Sequence, residues 1–223
     1  MGDILYPSPA YMESEFQYDR ALDVAWQKKR NNLYWAGSTT GGFAVNDQWR
    51  NFHRQKFVSL AQNLERRPHV YLREQASDGV VRPVTSSFLN GRLFDALRSR
   101  LVFDIDGNGI SGRYYKLLAS NSAPLKQTIL HEWHDERLVP WVHYIPVSQS
   151  LDELPELVAF LTSSASGAGQ KLAKDVAEQG KDWYSKALRE VDMAIYTYRL
   201  LLELARLQDP ERPAGAATAA SEV

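Results

Sequence analysis

The hydrophobic positions of this chain change period along its length, and the changes predict alternating strands and helices. Short apolar runs predict strands at 33–35, 69–73, 101–105, 124–128 and 141–147. Positions with a period near 3.6 predict helices within 48–64, 86–100, 111–119, 151–161, 172–188 and 192–207. Strands that alternate with helices are typical of parallel βαβ units. We therefore expect an α/β fold with a mostly parallel sheet flanked by helices and closed by C-terminal helices.

The two ends of the chain lack this periodicity. Residues 1–32 are rich in Pro, Tyr and acidic side chains and predict an irregular N-terminal segment. Residues 208–223 are small and rich in Pro and Ala, a composition that predicts disorder. The periodic part, residues 33–207, is expected to form one domain with its closing helices.

Composition limits the kinds of site that the domain can hold. The 223 residues are 44% hydrophobic and 24% charged, which is typical of a globular protein. The net charge is −1, so no global basic field favours nucleic acid, and a phosphate site has to be local. The absence of cysteine excludes disulfides, thiolate metal sites and Cys nucleophiles. No apolar run approaches the roughly 20 residues of a membrane-spanning helix.

Two glycine-rich loops directly follow predicted strands, and parallel α/β sheets bind ligands at this edge. The first loop, GSTTGG at 37–42, offers hydroxyl and amide groups at Ser38, Thr39 and Thr40. The second, DGNGISGR at 106–113, ends in Arg113. We expect both loops to converge on one site. Arg50, His53 and Arg54 in the helix that follows the first loop form a basic face, which fits either a solvated surface or a ligand contact.

Three kinds of site fit the second loop. A calcium loop is supported by Asp104, Asp106 and Asn108, but its twelfth position requires a bidentate Glu and is Tyr115, and a strand precedes it. An Asp-x-Asp metal site is a weak pattern, and an Asx turn at the strand end explains the same residues equally well. A phosphate cradle uses more of the segment, because glycines admit the ligand, Ser111 caps the next helix, and Arg113 meets a diphosphate.

The segment HEWHD at 131–135 also suggests metal. Its histidines are three apart, whereas the zinc-protease pattern places them four apart, and no third ligand is evident. A surface turn before a strand is the better interpretation.

The segments YWAGSTTGG, LVFDIDGNGISGRYYKLLASNSAPLKQT, EWHDERLVPWVHYIPV and YRLLLELARL, in this order, resemble the Cap-type glycosyltransferases. That family includes capsule-associated xylosyltransferases and KDEL-motif protein O-glucosyltransferases. The resemblance implies a GT-B architecture of two Rossmann-like domains, with residues 33–207 forming the C-terminal domain that holds the sugar donor. It also implies transfer of glucose or xylose from a UDP-sugar to a glycan or protein hydroxyl, without cofactor or metal, in the secretory pathway (ER or Golgi).

The resemblance also implies which residues touch the sugar donor. Arg113 is expected on the diphosphate and Glu132 on a ribose hydroxyl. The full set of expected contacts is Ser38, Thr39, Thr40, Asn108, Gly109, Ile110, Ser111, Gly112, Arg113 and Glu132. Some relatives have Arg where this chain has Ala36, so one phosphate contact is missing.

The catalytic residue stays unassigned at this point. The family's acceptor side and its Asp base lie in an N-terminal domain upstream of the matched region. The chain is therefore expected either to supply the donor-binding half of a transferase or to be a truncated, non-catalytic nucleotide-sugar-binding remnant.

Overall fold

A parallel β-sheet forms the centre of the protein in the computed structural model, which describes residues 4–42, 47–64, 96–164 and 167–209. Within these residues four strands lie in the order β1-β2-β3-β4, and all neighbours are parallel. The strands are β1 (Arg30–Tyr34), β2 (Ser99–Ile105), β3 (Ala123–Gln127) and β4 (Ile145–Pro146). The predicted parallel α/β fold, flanked by helices, is confirmed.

Five α-helices accompany the sheet in the described ranges. They are α1 (His53–Leu64), α2 (Tyr114–Leu118), α3 (Leu154–Thr162), α4 (Ala168–Ala187) and α5 (Glu190–Gln208). The N-terminal segment is a series of short 3-10 turns at Pro9–Met12, Ser14–Phe16, Arg20–Leu22 and Trp26–Lys28. Further 3-10 turns occupy Asp47–Asn51 and Asp135–Arg137. None of the helices in these ranges combines the length and hydropathy of a membrane span.

The first two strands begin where the hydrophobic pattern does not predict them. β1 starts at Arg30, within the predicted irregular segment. The hydrophobic pattern does not predict this start, because the first two residues of the strand are exposed and polar. The helix predicted for 86–100 is wrong at its end, since Ser99 and Arg100 belong to β2. Ser99 is fully buried, and its carbonyl accepts a hydrogen bond from the Ser122 hydroxyl at 2.7 Å. Residues 86–95 of that predicted helix, the strand predicted at 69–73 and residues 210–223 lie outside the described residues.

The last predicted strand, 141–147, shortens to the two residues of β4. Trp141 has a positive φ of 65°, which no strand accommodates. Its amide donates to the Tyr144 carbonyl at 2.7 Å, so residues 141–144 form a turn that delivers the chain to β4. The apolar alternation here arises from a turn whose side chains pack alternately, a pattern that periodicity cannot separate from a strand.

Alternation along β2 assigns its side chains to two faces of the sheet. Leu101, Phe103 and Ile105 are at most 1% exposed and join the large core that α1, α3 and α4 cover. Val102 faces the other side, where it packs with Leu117 of α2. Asp104, on the same side as Val102, is therefore carried into the interior. The sheet is covered on both faces, and a buried carboxylate lies near its carboxyl edge.

α4 packs closely against its neighbours through two glycines. A Cβ at Gly169 would lie 2.0 Å from the Phe160 carbonyl oxygen, and one at Gly180 would lie 2.5 Å from the His143 carbonyl oxygen. Both obstacles are backbone atoms, which cannot rotate away. The two glycines thus fix how closely α4 approaches α3 and the turn before β4.

Gly180→Ala is expected to destabilise the protein by about 2 to 4 kcal/mol, the range of a severe overpacking substitution. Helix propensity alone would make this substitution stabilising, because Ala favours a helix over Gly by about 1 kcal/mol. Urea unfolding followed by circular dichroism measures the difference. Gln179→Ala, exposed on the same turn, is the control and should change the free energy of unfolding by less than about 0.5 kcal/mol. An equal effect of the two substitutions would contradict the close approach.

Candidate functional site

The two glycine-rich loops meet at the carboxyl edge of the sheet. The loop after β1, residues 36–42, is called the first loop, and the loop after β2, residues 106–113, the second loop. The Asn108 side-chain oxygen accepts a hydrogen bond from the Gly41 amide at 3.1 Å. At the other end, the Arg113 guanidinium donates to the Ala36 carbonyl. The predicted convergence of the loops is confirmed, and it follows from β1 and β2 being parallel neighbours.

Arg54, at the start of α1, joins the two loops from beneath. Its guanidinium donates to Ser38 O at 2.9 Å and to the Thr40 hydroxyl at 3.0 Å in the first loop. It also donates to Ile105 O at 2.9 Å and Asp106 O at 2.8 Å at the end of β2. Arg54 is only 7% exposed, so these groups replace water. The interpretation of the basic face as a solvated surface does not hold for Arg54.

Two arginine guanidinium groups lie close to one aromatic ring at the base of this arrangement. The Arg54 and Arg113 carbons Cζ are 5.8 Å and 5.9 Å from the Trp35 ring centre. The ring face is attractive to cations and offsets part of the repulsion between them. Burial, and after it the charge of Arg113, lowers the pKa of Arg54 to about 10. Arg54 therefore remains positively charged at neutral pH, and the two guanidinium groups place two formal positive charges at the base of the loops.

Arg113 keeps unused hydrogen-bonding capacity. Its Nε lies 3.4 Å from the Asp104 carboxylate, and one terminal nitrogen serves the Ala36 carbonyl. The other terminal nitrogen, Nη2, is buried without a hydrogen-bond partner among the described residues. A buried charged donor without an acceptor is costly, and an anionic ligand would supply one.

The two carboxylates of the DIDGNG segment accept hydrogen bonds from within the protein. Asp104 accepts from Ser111 Oγ at 2.5 Å and from Lys126 Nζ at 3.2 Å. Asp106 accepts from Thr128 Oγ1 at 2.6 Å and from the Ile129 amide at 2.9 Å. No cluster of three potential metal-ligating side chains occurs in the part of the chain that the structure describes. Both carboxylates are bound to internal donors.

Ser111 does not cap the next helix as the sequence suggested. Its hydroxyl is turned to Asp104, and the residue at the N-cap of α2 is Arg113, without a side-chain cap. Leaving a buried carboxylate without hydrogen-bond donors costs more free energy than leaving a helix end uncapped. α2 also has only five residues, too few to contribute a substantial dipole, so any anion must be held by the arginines and the loop amides.

The remaining loop residues that were predicted to contact a ligand make different contacts within the protein. Thr39 accepts a bond from Gln55 Nε2 at 3.3 Å through its carbonyl. The Gly109 carbonyl accepts from the Gly107 amide at 2.8 Å and closes the turn of the second loop. Ile110 packs against the aromatic cluster around Tyr115. A Cβ at Gly112 would lie 2.8 Å from the Phe16 ring, so the N-terminal segment covers this end of the second loop.

Glu132 lies in a buried network beside the second loop. Its Oε2 accepts a hydrogen bond from the Tyr11 hydroxyl, and its Oε1 lies 3.5 Å from Lys126 Nζ. Lys126 also binds Asp104, so Glu132 and the second loop are connected through a single ammonium group. Burial raises the pKa of Glu132, and the charge of Lys126 opposes that rise. Contact with a ribose stays a prediction, because both carboxylate oxygens face protein groups.

The two histidines of HEWHD occupy different environments. His131 is exposed and lies 3.2 Å from Asp135. His134 is buried, with Nδ1 3.1 Å from the Tyr115 hydroxyl, and burial followed by the charges of Lys126 and Arg137 lowers its pKa to about 3. A neutral structural histidine and a surface hydrogen bond between His131 and Asp135 explain the segment.

Sequence reasoning missed two cationic residues of this site. Arg54 was grouped with Arg50 and His53, since helical spacing does not reveal which one turns inward. Lys126 lies in a strand, at a position where alternation places it on the same face as Asp104. A lysine inside an otherwise apolar strand was the available signal, because such a residue is rarely buried unless it is paired.

Comparison with known proteins identifies relatives of this chain. The family model described as Glycosyl transferase family 90 matches residues 13–223. Protein O-glucosyltransferase 1 from Rattus norvegicus and from Homo sapiens are each 26% identical over 213 residues, which is 91% of this chain and 49% of theirs. The O-glucosyltransferase rumi homolog of Aedes aegypti is 27% identical over 192 residues, or 82% of this chain and 43% of its own. The chain thus spans about half the length of the curated relatives that it matches.

Arg54→Met is expected to lower the free energy of unfolding by about 3 kcal/mol, because it leaves several buried carbonyl groups of the two loops without a donor. Urea unfolding measures this loss. Lys56→Met, on the exposed side of the same helix, is the matched control and should stay within about 0.5 kcal/mol of wild type. Equal stability of the two variants would show that Arg54 does not join the loops.

We also expect no divalent metal site at Asp104 and Asp106, since both Asp104 oxygens and Asp106 Oδ2 already accept internal hydrogen bonds. Calorimetric titration with Ca²⁺, Mg²⁺ and Mn²⁺, with and without UDP, should show no saturable binding up to about 1 mM, the weak limit of protein calcium sites. The comparison variants are Asp106→Asn and, as an exposed control, Glu136→Gln. Saturable binding that Asp106→Asn abolishes and Glu136→Gln retains would overturn this expectation.

Proposed function

We propose that this chain, which belongs to glycosyl transferase family 90, is the part of an O-glycosyltransferase that binds the nucleotide-sugar donor. The supporting observation is the meeting of the two loops over Arg54 and Arg113, with Arg113 Nη2 lacking a protein acceptor among the described residues. Two cations at the carboxyl edge of a parallel sheet are suited to a diphosphate.

The donor's diphosphate would lie across the two loops. Arg113 would hold it through a charge-assisted hydrogen bond, and Arg54 would contribute its charge from below while its own nitrogens hold the loop carbonyls. In the first loop the Thr40 hydroxyl accepts a hydrogen bond from Arg54 at 3.0 Å, and the Ser38 hydroxyl lies 3.4 Å from that of Thr40. In this arrangement the protein needs no metal to neutralise the diphosphate.

The identity of the sugar is inferred from relatives. Several relatives carry the name protein O-glucosyltransferase, and on that basis we propose glucose, with xylose as the alternative implied by the family resemblance, carried as the UDP-sugar. The acceptor would be a hydroxyl of a protein or a glycan. A location in the secretory pathway belongs to the same proposal.

Transfer requires more than a bound donor. An acceptor hydroxyl must be held in line and a base must lie within hydrogen-bond reach of it. The candidate carboxylates near the loops, on Asp104, Asp106 and Glu132, all accept contacts from protein groups. A nucleotide-sugar-binding chain without turnover is therefore the second candidate.

The isolated chain is expected to bind UDP weakly, and Arg113→Ala to reduce its affinity roughly ten- to hundredfold. This range corresponds to about 1.5 to 3 kcal/mol, the usual contribution of a hydrogen bond to a charged group. Calorimetric titration with UDP measures the affinities. Arg199→Ala, an exposed arginine on α5, is the control and should bind as wild type does.

A transfer assay with radiolabelled UDP-glucose and UDP-xylose separates the two candidates. No transfer is expected from this chain alone, because the described carboxylates near the loops have structural partners. Equal UDP affinity of wild type and Arg113→Ala would remove Arg113 from the site. Turnover by the wild-type chain would instead require one of the carboxylates Asp104, Asp106 or Glu132 to act as the base.

A further inference from the structure

Lys126 is a buried cation that direct ligand binding does not use. It lies in β3, is 6% exposed, and carries its ammonium group between two carboxylates. Nζ is 3.2 Å from Asp104 Oδ2 and 3.5 Å from Glu132 Oε1. The same nitrogen lies 4.0 Å from the centre of the Tyr114 ring, so an aromatic face closes the remaining side.

The surroundings keep this lysine charged. Burial by itself lowers the pKa of Lys126, but the charges of Asp104, Glu132 and, more weakly, Asp106 outweigh burial and raise it. His134, whose Nε2 lies 3.8 Å from Glu132 Oε1, is neutral at physiological pH because its pKa is lowered to about 3. The ammonium group is therefore the cation that neutralises Glu132 in the described structure.

Each of the two carboxylates holds a different part of the site. Asp104 accepts from Ser111 Oγ and lies 3.4 Å from Arg113 Nε, so it orients the second loop. Glu132 accepts from the Tyr11 hydroxyl of the N-terminal segment, and the Tyr11 ring stacks on Tyr115 with centres 3.9 Å apart. One ammonium group thus connects the second loop with the segment that covers it.

Removing the ammonium group changes how strongly Arg113 is paired with Asp104. In the described residues Asp104 has two cations within 4 Å, Lys126 and Arg113. Without Lys126, Arg113 is the remaining cation within 4 Å of Asp104 in the described residues. Asp104 then binds Arg113 more strongly, and Arg113 is less available to a ligand. Glu132 in turn loses the positive charge that opposes its protonation.

We propose that Lys126 is a positioning residue of the donor site: by pairing with both Asp104 and Glu132, it leaves Arg113 available for the diphosphate and fastens the N-terminal segment over the second loop. This inference rests on the proposed donor-binding function. Lys126 acts through Asp104 and touches no ligand itself. Its effect must therefore fall on phosphate recognition more than on recognition of the nucleoside.

The test compares the affinities for UDP and for uridine in wild type and in Lys126→Met. Methionine has similar length and keeps the contact with Tyr114, but it carries no charge. We expect UDP affinity to fall about tenfold, as for the loss of one charged contact, and uridine affinity to change less than about twofold. Lys29→Met is the matched control: Lys29 is a second buried lysine, 4% exposed, whose ammonium pairs with the Asp23 carboxylate at 2.5 Å, away from the second loop. It should leave the ratio of the two affinities unchanged.

A purely structural role of Lys126 would lower the affinities for UDP and uridine together, and that result would overturn the proposal. An unchanged UDP affinity would overturn it as well. If wild type binds neither ligand, the proposed function itself fails, and this inference with it; if wild type binds UDP and Lys126→Met binds it equally well, only this inference fails.

A measurement on wild type covers the case in which Lys126→Met does not fold. Hydrogen exchange followed by mass spectrometry, with and without UDP, reports local opening of the chain. UDP is expected to slow exchange in peptides from the second loop and also in those from residues 9–16. Protection confined to the loops would show that the N-terminal segment is not coupled to the site and would overturn the proposal.

Discussion

The site depends on how buried backbone carbonyl groups at the carboxyl edge of the sheet are satisfied. Ser38, Ile105 and Asp106 all present carbonyl oxygens to one point beneath the loops, and the Arg54 guanidinium donates to all three. A guanidinium has five donors in a planar fork, a geometry that lysine cannot reproduce. The paths of both loops, the stacking near Trp35 and the position of Arg113 follow from this one side chain.

Charge compensation then determines the chemical character of the site. The segment DIDGNG resembles a metal-binding motif because it places two carboxylates at the end of a strand. In the fold both carboxylates accept hydrogen bonds from protein donors. Asp104 accepts from Ser111 and Lys126, and Asp106 accepts through Oδ2 from residues after β3. The formal charges of Arg54, Arg113 and Lys126 balance those of Asp104, Asp106 and Glu132. Because Arg113 Nη2 has no acceptor among the described residues, the arrangement favours an anion over a cation.

Much of the fold was predictable, because alternation and helical period report burial directly. The parallel sheet, the long C-terminal helices and the meeting of the two loops all follow from strand order and from the loops' shared position after strands. The start of β1 and the shortness of β4 were not predictable, since exposed Arg30 and Asn31 lack apolar character and Trp141 adopts a turn that mimics alternation. At the site, Arg113 was recognisable from its loop, but the inward turn of Arg54 and the pairing of Lys126 are set by tertiary contacts.

The N-terminal segment closes over the site through contacts that are distant in sequence. Tyr11 meets Glu132 across 121 positions, Lys116 meets Glu15 across 101, and Tyr196 donates to the Leu5 carbonyl across 191. Contacts between such remote positions close large loops of chain, and their entropy cost slows folding. The cover over the second loop therefore belongs to the last steps of folding. During synthesis the N-terminal segment must wait until α5 has been made before it reaches its final place.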